Sequence, residues 1–307
     1  GMRLIKTKMT FDEVKPKVKE LTDTLFKMVP AGVGATSYQE PKEISRIPEG
    51  TFREIVEEGV GWALRNGYAW KSDVERIERH GQSADADFSK VSKSAYSRGK
   101  NQLGTLGSGN HYLEIQVIDN MNRQLITYQI RKAFEKTFGR SAEDMQMEVI
   151  YDVAHNTASI EKHAVDGKQR NVIVHRKGAT RSFGPGNPEL AQIFRSTGQP
   201  VIVGGSMETG SFLCVGTKKA EEDTFGTTLH GSGRTMSRSK AKKMVRGEEL
   251  QRDMLARGIY VKATTMSGLA EEAGFSYKDI NEVVDSMHSA GISLKVLKLR
   301  PIANVKG

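Results

Sequence analysis

Strand-like and helix-like runs alternate along this chain without a regular βαβ rhythm, and that irregularity narrows the fold more than any other feature. A doubly wound parallel sheet needs a crossover of a dozen or more residues between successive strands. Here short apolar runs crowd together instead. Met147 to Tyr151, Asn171 to His175, Gln199 to Val203 and Phe212 to Val215 read as strands, and Asp166-Gly167 is a hairpin turn signal before the second of them. His111 to Ile118 alternates, with Leu113, Ile115 and Val117 on one face, and reads as another strand. The pattern predicts a mixed α+β fold.

Helices are expected between these runs. An opening strand-like stretch leads to Thr10 and Glu13, a capping box, followed by an apolar face of Val14, Val18, Leu21 and Leu25 that Pro16 should kink or delay. A second helix is expected over Thr51 to Asn66, stopped by Gly67. Ser72 to Lys100 reads as a polar surface helix plus connection, with His80 solvated. The last third predicts a helix near Gly247 to Arg257, a strand from Ile259, a helix near Tyr277 to Met287 and a final strand from Ile292. His288, at the end of that helix, is read as unrelated to catalysis. No internal repeat or low-complexity linker interrupts the chain.

Composition excludes several classes. With 307 residues, 37% hydrophobic and 27% charged, this is a globular chain long enough for one large domain or two smaller ones. No apolar run approaches the ~18 residues of a membrane span, and Gly1 to Lys6 lacks the apolar core of a secretory signal. The single cysteine, Cys214, excludes an internal disulfide framework, fits a reducing cytoplasm, and lies in an apolar run that reads as buried. A net charge of +9 and a pI near 9.4 favour a polyanionic partner, most simply nucleic acid. Lys240, Lys242, Lys243 and Arg246 form the densest basic patch and are read as phosphate-backbone contacts.

The chemistry concentrates around histidines. His230 stands in Thr228-Leu229-His230-Gly231-Ser232-Gly233-Arg234, where small neighbours leave its ring open and glycines let backbone N–H groups approach phosphate. Arg234 and Arg238 supply guanidinium forks for phosphate. Imidazole can attack phosphorus and carry a covalent intermediate, so His230 is a candidate for phosphoryl or nucleotidyl transfer. His111, in Gly107-Ser108-Gly109-Asn110-His111-Tyr112-Leu113-Glu114, and His155, beside Asn156, have matched settings and suit a divalent transition metal. Asp152 or Glu114 could orient either ring. Lys177 and Arg181 could pair with acidic neighbours or touch phosphate.

These three segments, with His175-Arg176-Lys177-Gly178-Ala179-Thr180-Arg181, Gly204-Gly205-Ser206-Met207 and Lys306-Gly307, resemble the RtcB-type RNA ligases over nearly the whole chain. The resemblance implies an enzyme using GTP and manganese to join RNA ends, as in tRNA splicing. It makes His230 the guanylylated nucleophile and His111 and His155 metal ligands. It puts Asn110, His111, Tyr112, Leu113, Glu114, His155, Asn156, Gly204, Gly205, Ser206, Met207, Ser211, Gly231, Ser232, Gly233 and Lys306 at the nucleotide, with Lys306 on the guanine. RNA or phosphate contacts fall to Arg234, Arg238 and Lys177, and an archease-type activator is implied as a partner.

The chain also departs from that pattern. Gly1-Met2 stands where the family's Asp-x-Gly-Cys-Gly-Met block would end, without its aspartate and cysteine, and Glu208 replaces the glycine expected after Ser206-Met207. A block carrying a metal-binding histidine should lie between Ile118 and Arg123 and is missing. The expectation is a single catalytic domain over 1–307, incomplete at its N-terminus and discontinuous near 120–121. Two alternatives stay open: a non-catalytic RNA-binding relative, and a metal-dependent phosphodiesterase or nuclease.

Overall fold

The computed structural model describes residues 1–29, Glu54, 58–76 and 109–307, apart from the side chains of 109–121 and Ala158. β1 (Met2–Lys6) leads into α1 (Phe11–Val14), where Thr10 accepts from the Glu13 backbone and Glu13 from the Thr10 backbone, the capping box read from the sequence. Around Pro16 the chain tightens into a 3-10 turn over Lys15–Lys17 before α2 (Val18–Met28) begins. α3 (Val60–Arg65) is the described end of the helix expected over Thr51–Asn66, and Gly67, at φ +77°, stops it as expected.

α4 (Lys71–Arg76) corrects the reading of a purely surface helix. Asp73 is fully buried, taking two hydrogen bonds from Arg131 at 2.7 and 2.8 Å. Burial alone would push its pKa up, but the bonds and charge of Arg131 outweigh it and hold Asp73 below the usual carboxylate range. His80 lies outside the described residues.

Arg131 belongs to α5 (Gly109–Phe138), and here the strand expected over His111 to Ile118 is overturned. No glycine or proline stands between Asn110 and Phe138, so nothing stops the helix, whose Leu125 and Ala133 are buried, from extending back to Gly109. Eight residues of alternation do not outweigh thirty of uninterrupted helix. Gly139, at φ +66°, ends it.

The remainder is strand-rich: β2 (Glu148–Val153), β3 (Asn156–Val165), β4 (Lys168–Lys177), β5 (Ala179–Arg181), β6 (Pro200–Gly204), β7 (Ser211–Gly216), α6 (Lys218–Thr224) and β8 (Thr227–Leu229). Then come α7 (Arg238–Met244), α8 (Gly247–Ala256), β9 (Tyr260–Ala263), α9 (Met266–Ala270), α10 (Ile280–Ser289), β10 (Ser293–Leu299) and β11 (Ala303–Lys306). β11 is a strand beyond the one expected to be last. The described strands form small sheets: β1–β2, β3–β4, β5–β8 and β10–β7–β6 are antiparallel, and β11–β9 is parallel. The fold is α+β, as the irregular rhythm indicated. Asp166 and Gly167 both have positive φ and close the β3–β4 hairpin.

The β6–β7 pair is buried on both faces. Val201, Val203, Phe212 and Cys214 pack on Ile280 and Val284 of α10, while Ile202 and Leu213 face Tyr151 and Val153 of β2. That double burial explains why Val201-Ile202-Val203 is apolar without alternation. Cys214 is 1% exposed and burial pushes its thiol up to about 11, so it is a structural thiol as expected. Among the described residues, no helix is long and apolar enough to cross a membrane.

Candidate active site

The site is assembled by strand pairing rather than by sequence proximity. β2 ends at Val153, and His155 stands immediately before β3, whose first residue Asn156 pairs with Lys177 at the end of β4. Gly178, at φ +63°, turns the chain so that its N–H reaches His155 O at 2.8 Å and Asn156 Oδ1 at 3.2 Å. That turn starts β5, which pairs Ala179 with Leu229, the last residue of β8. His230 follows. The two imidazoles end with ring centres 4.6 Å apart and planes at 53°.

His230 is half-buried. Burial lowers its pKa, and the positive charge of Lys177 lowers it further, against a hydrogen bond to its own backbone. The ring is thereby biased towards the neutral, nucleophilic form.

Gly204 bridges the main chain on either side of Gly231. Gly204 N donates to His230 O at 2.9 Å, and Ser232 N donates to Gly204 O at 2.9 Å. A side chain at Gly231 would press on Gly204 O, 3.1 Å from its Cβ, so the close approach needs glycine there. Ser232 Oγ is buried without a hydrogen-bond partner among the described residues.

The Gly205–Gly210 loop is occupied with itself. Ser206 Oγ accepts from the backbones of Glu208 and Thr209 and bonds the Thr209 hydroxyl at 3.0 Å. Glu208, the departure from the family pattern, accepts from Gly274 N at 2.6 Å and pairs with Arg257, so it ties this loop to the segment before α10. Met207 packs on Leu250, Met254 and Leu269, while its carbonyl accepts from Asn304 of β11 at 3.0 Å. Ser211 opens β7, paired with Gly204.

The cations expected at phosphate and guanine meet around two acids the sequence did not single out. Glu272 takes a very short hydrogen bond from Tyr277 and stands 3.7 Å from Arg234, 3.5 Å from Arg238 and 3.6 Å from Lys306. Glu271 pairs with Lys242 at 2.7 Å. Burial raises the Glu272 pKa, but the Tyr277 bond and the three cations outweigh it and leave it lowered; Tyr277 is pushed up to about 12 by burial and by Glu272. Arg234 is fully engaged: its nitrogens donate to Tyr277, Glu271 O and Met236 O while it lies over the Tyr277 ring. Arg238 is 64% exposed and offers the freer fork. Glu271, Glu272 and Tyr277 escaped the sequence reading because neither histidine nor glycine marks them. Arg181 pairs with Glu189 at 3.3 Å, the acidic-neighbour alternative, whereas Lys177 is exposed beside His230.

Of the three candidate histidines, His155 and His230 come together; the side chain of His111, with those of Asn110, Tyr112, Leu113 and Glu114, lies outside the described residues. Among the described residues no three His, Cys, Asp or Glu side chains gather closely enough to hold a metal. His288 accepts from Lys295 N through Nδ1 and serves the helix–strand turn.

The family described as tRNA-splicing ligase RtcB matches residues 1–121 and 119–307. The tRNA-splicing ligase RtcB of Methanococcus maripaludis is 40% identical over 388 positions, covering 100% of this chain and 80% of that protein. Those of Thermococcus kodakarensis and Nanoarchaeum equitans are 37% and 39% identical, with this chain whole and 79% and 80% of each relative covered. Because 388 aligned positions meet only 307 residues, 81 positions of the M. maripaludis protein have no counterpart here. With the two matched stretches together spanning every residue, this chain belongs to the RtcB family of tRNA-splicing ligases.

Proposed function

We propose that this enzyme is an RNA ligase joining RNA 3′-phosphate or 2′,3′-cyclic phosphate ends to 5′-hydroxyl ends through a guanylylated His230, as in tRNA splicing. One observation carries the reading: the His230 ring is biased neutral, held by a main chain bonded to Gly204, with its Nε2 beside Gly178. The lone pair attacks the α-phosphorus of GTP; an N–P bond forms and the bond to pyrophosphate breaks. An RNA 3′-phosphate oxygen then takes the GMP and frees the imidazole. Finally the 5′-hydroxyl attacks the activated RNA phosphate and GMP leaves. A cyclic end is first opened by water. Lys177 and Arg238 would offset phosphate charge, Ser232 Oγ would meet a phosphate oxygen, and Lys306 would reach the guanine.

Manganese is the metal this reading implies, with His155 and His111 as ligands, where it would screen the triphosphate's concentrated charge. Among the described residues only the His155 side chain of that pair is placed. The same reading makes 1–307 one catalytic domain interrupted, relative to its relatives, near 120–121, where the two family matches meet. RNA ends such as tRNA halves are the substrate, an archease-type activator the partner, and the cytoplasm the setting.

Incubation with α-labelled GTP and manganese tests it. Label should map to the His230 peptide, vanish in His230→Ala and form more slowly in His155→Ala. Wild-type protein that takes no label would favour a phosphodiesterase or an RNA-binding relative.

A further inference from the structure

Arg176 is 3% exposed and binds two parts of the fold at once. Towards β3, its Nη1 and Nη2 grip Glu161 at 2.5 and 2.9 Å. Burial would push Glu161 up, but Arg176, with His163 and Ser159, keeps it a carboxylate, so the fork has a charged partner. Towards β8, Arg176 Nε donates to Thr227 Oγ1 at 3.0 Å, and Nη2 donates to Phe225 O at 2.8 Å and Gly226 O at 3.3 Å.

Those two carbonyls belong to an unusual turn. Phe225 and Gly226 end α6 with φ +51° and +59°, and a left-handed conformation is strained for a bulky side chain like Phe225. Phe225 O, at the helix C-cap, is an electron-rich carbonyl without a helical partner and suits a guanidinium, whereas Gly226 O also accepts from Ser182 N at 2.7 Å. Thr227 starts β8 immediately afterwards, and three residues later the chain reaches His230. At the other end of the fork, Glu161 lies on the strand that begins next to His155.

We infer that Arg176 is a positioning residue for the reaction: one buried guanidinium locks the strained Phe225–Gly226 turn to the β3–β4 hairpin and so fixes His230 against His155 and Gly178. It touches neither ring and acts through β8. The inference rests on His230 being the nucleophile.

The test compares wild type with Arg176→Lys, which keeps charge but loses the fork, Arg176→Gln, and Thr227→Val, which removes the Nε bond together with the Thr227 hydroxyl's own bond to Phe225 O and spares the Glu161 pair. All are assayed well below their melting midpoints. At saturating GTP, the guanylylation rate constant should fall at least tenfold in Arg176→Gln, less in Arg176→Lys and about threefold in Thr227→Val, with the KM for GTP changing by under threefold. A merely structural role would lower the amount of active protein without slowing the folded fraction. Folded variants guanylylating within twofold of wild type would overturn the inference, as would losses that track only the unfolded fraction. Should wild type take no label, the ligase reading itself fails. Arg176 is then judged by carbethoxylation of His230, with exposed His288 as internal standard: a change of at least threefold in Arg176→Lys or Thr227→Val supports the positioning role, and an unchanged rate refutes it.

Discussion

Gly178 and His230 face each other across a gap that one methyl group would fill: a Cβ at Gly178 stands 3.5 Å from His230 Nε2. That is ordinary contact, so alanine fits beside the ring but occupies the approach to its nucleophilic nitrogen. The φ of +63° adds strain of about 1 kcal/mol or more for any Cβ. Gly178→Ala should therefore lower the melting midpoint modestly and slow guanylylation more than stability alone explains. Gly178→Val should nearly abolish it. Thermal unfolding and label incorporation on the same samples separate the two effects.

The pH dependence follows from His230. Its pKa is lowered by burial and neighbouring positive charge, so the neutral ring persists below the ordinary histidine value of 6.5. The acid limb of the guanylylation rate, measured against pH, should have its midpoint below 6.5. For stability the sign runs the same way: below 6.5 the unfolded chain binds the proton more readily, so this group's contribution falls as pH drops through that window. An acid limb above 6.5 would contradict the environment described for His230.

Asp73 and Arg131 are both buried, and removing one leaves the other's charge without compensation. Asp73→Ala should cost about 3–5 kcal/mol in urea unfolding. The lowered carboxyl also implies that its stabilisation, complete above the usual aspartate value of 3.8, is lost as pH falls through the folded pKa.

Tyr277 gives a spectroscopic readout of the acid–cation cluster. Its hydroxyl titrates at about 12 against an ordinary 10.0 because burial and Glu272 oppose the phenolate. Glu272→Gln should move that titration back towards 10, seen as the phenolate absorbance missing from a Tyr277→Phe control. The raised value also means that this contact loses stabilising effect as pH rises above 10, where the unfolded phenol ionises first.

Much of this molecule could be read from residues alone. Thr10 and Glu13, Pro16, Gly67 and Asp166-Gly167 behave as their local chemistry dictates, because caps, breakers and hairpin turns depend on near neighbours. His155 and His230 were recognisable for their settings, but their meeting depends on Ala179 pairing with Leu229, a register no local pattern encodes. The strand read into His111 to Ile118 failed because a short alternation competed with a long helix lacking any breaker. Asp73 was misjudged because its partner, Arg131, is 58 residues away. Glu272 and Tyr277 acquire meaning only through Arg234, Arg238 and Lys306, and Glu208 only through Gly274 and Arg257.

The β3–β4 hairpin pairs ten residues with ten, from Asn156–Lys177 beside the histidines out to Val165–Lys168. At roughly 3.3 Å per residue its tip stands about 30 Å from its base. Asp166 and Gly167 are exposed there, in a turn whose backbone already tolerates positive φ. A fluorophore or affinity handle introduced at this tip would sit remote from His155 and His230 yet share a continuous ribbon with them. The hairpin is thus a built-in attachment arm for immobilising the enzyme or watching it by energy transfer while its chemistry proceeds undisturbed.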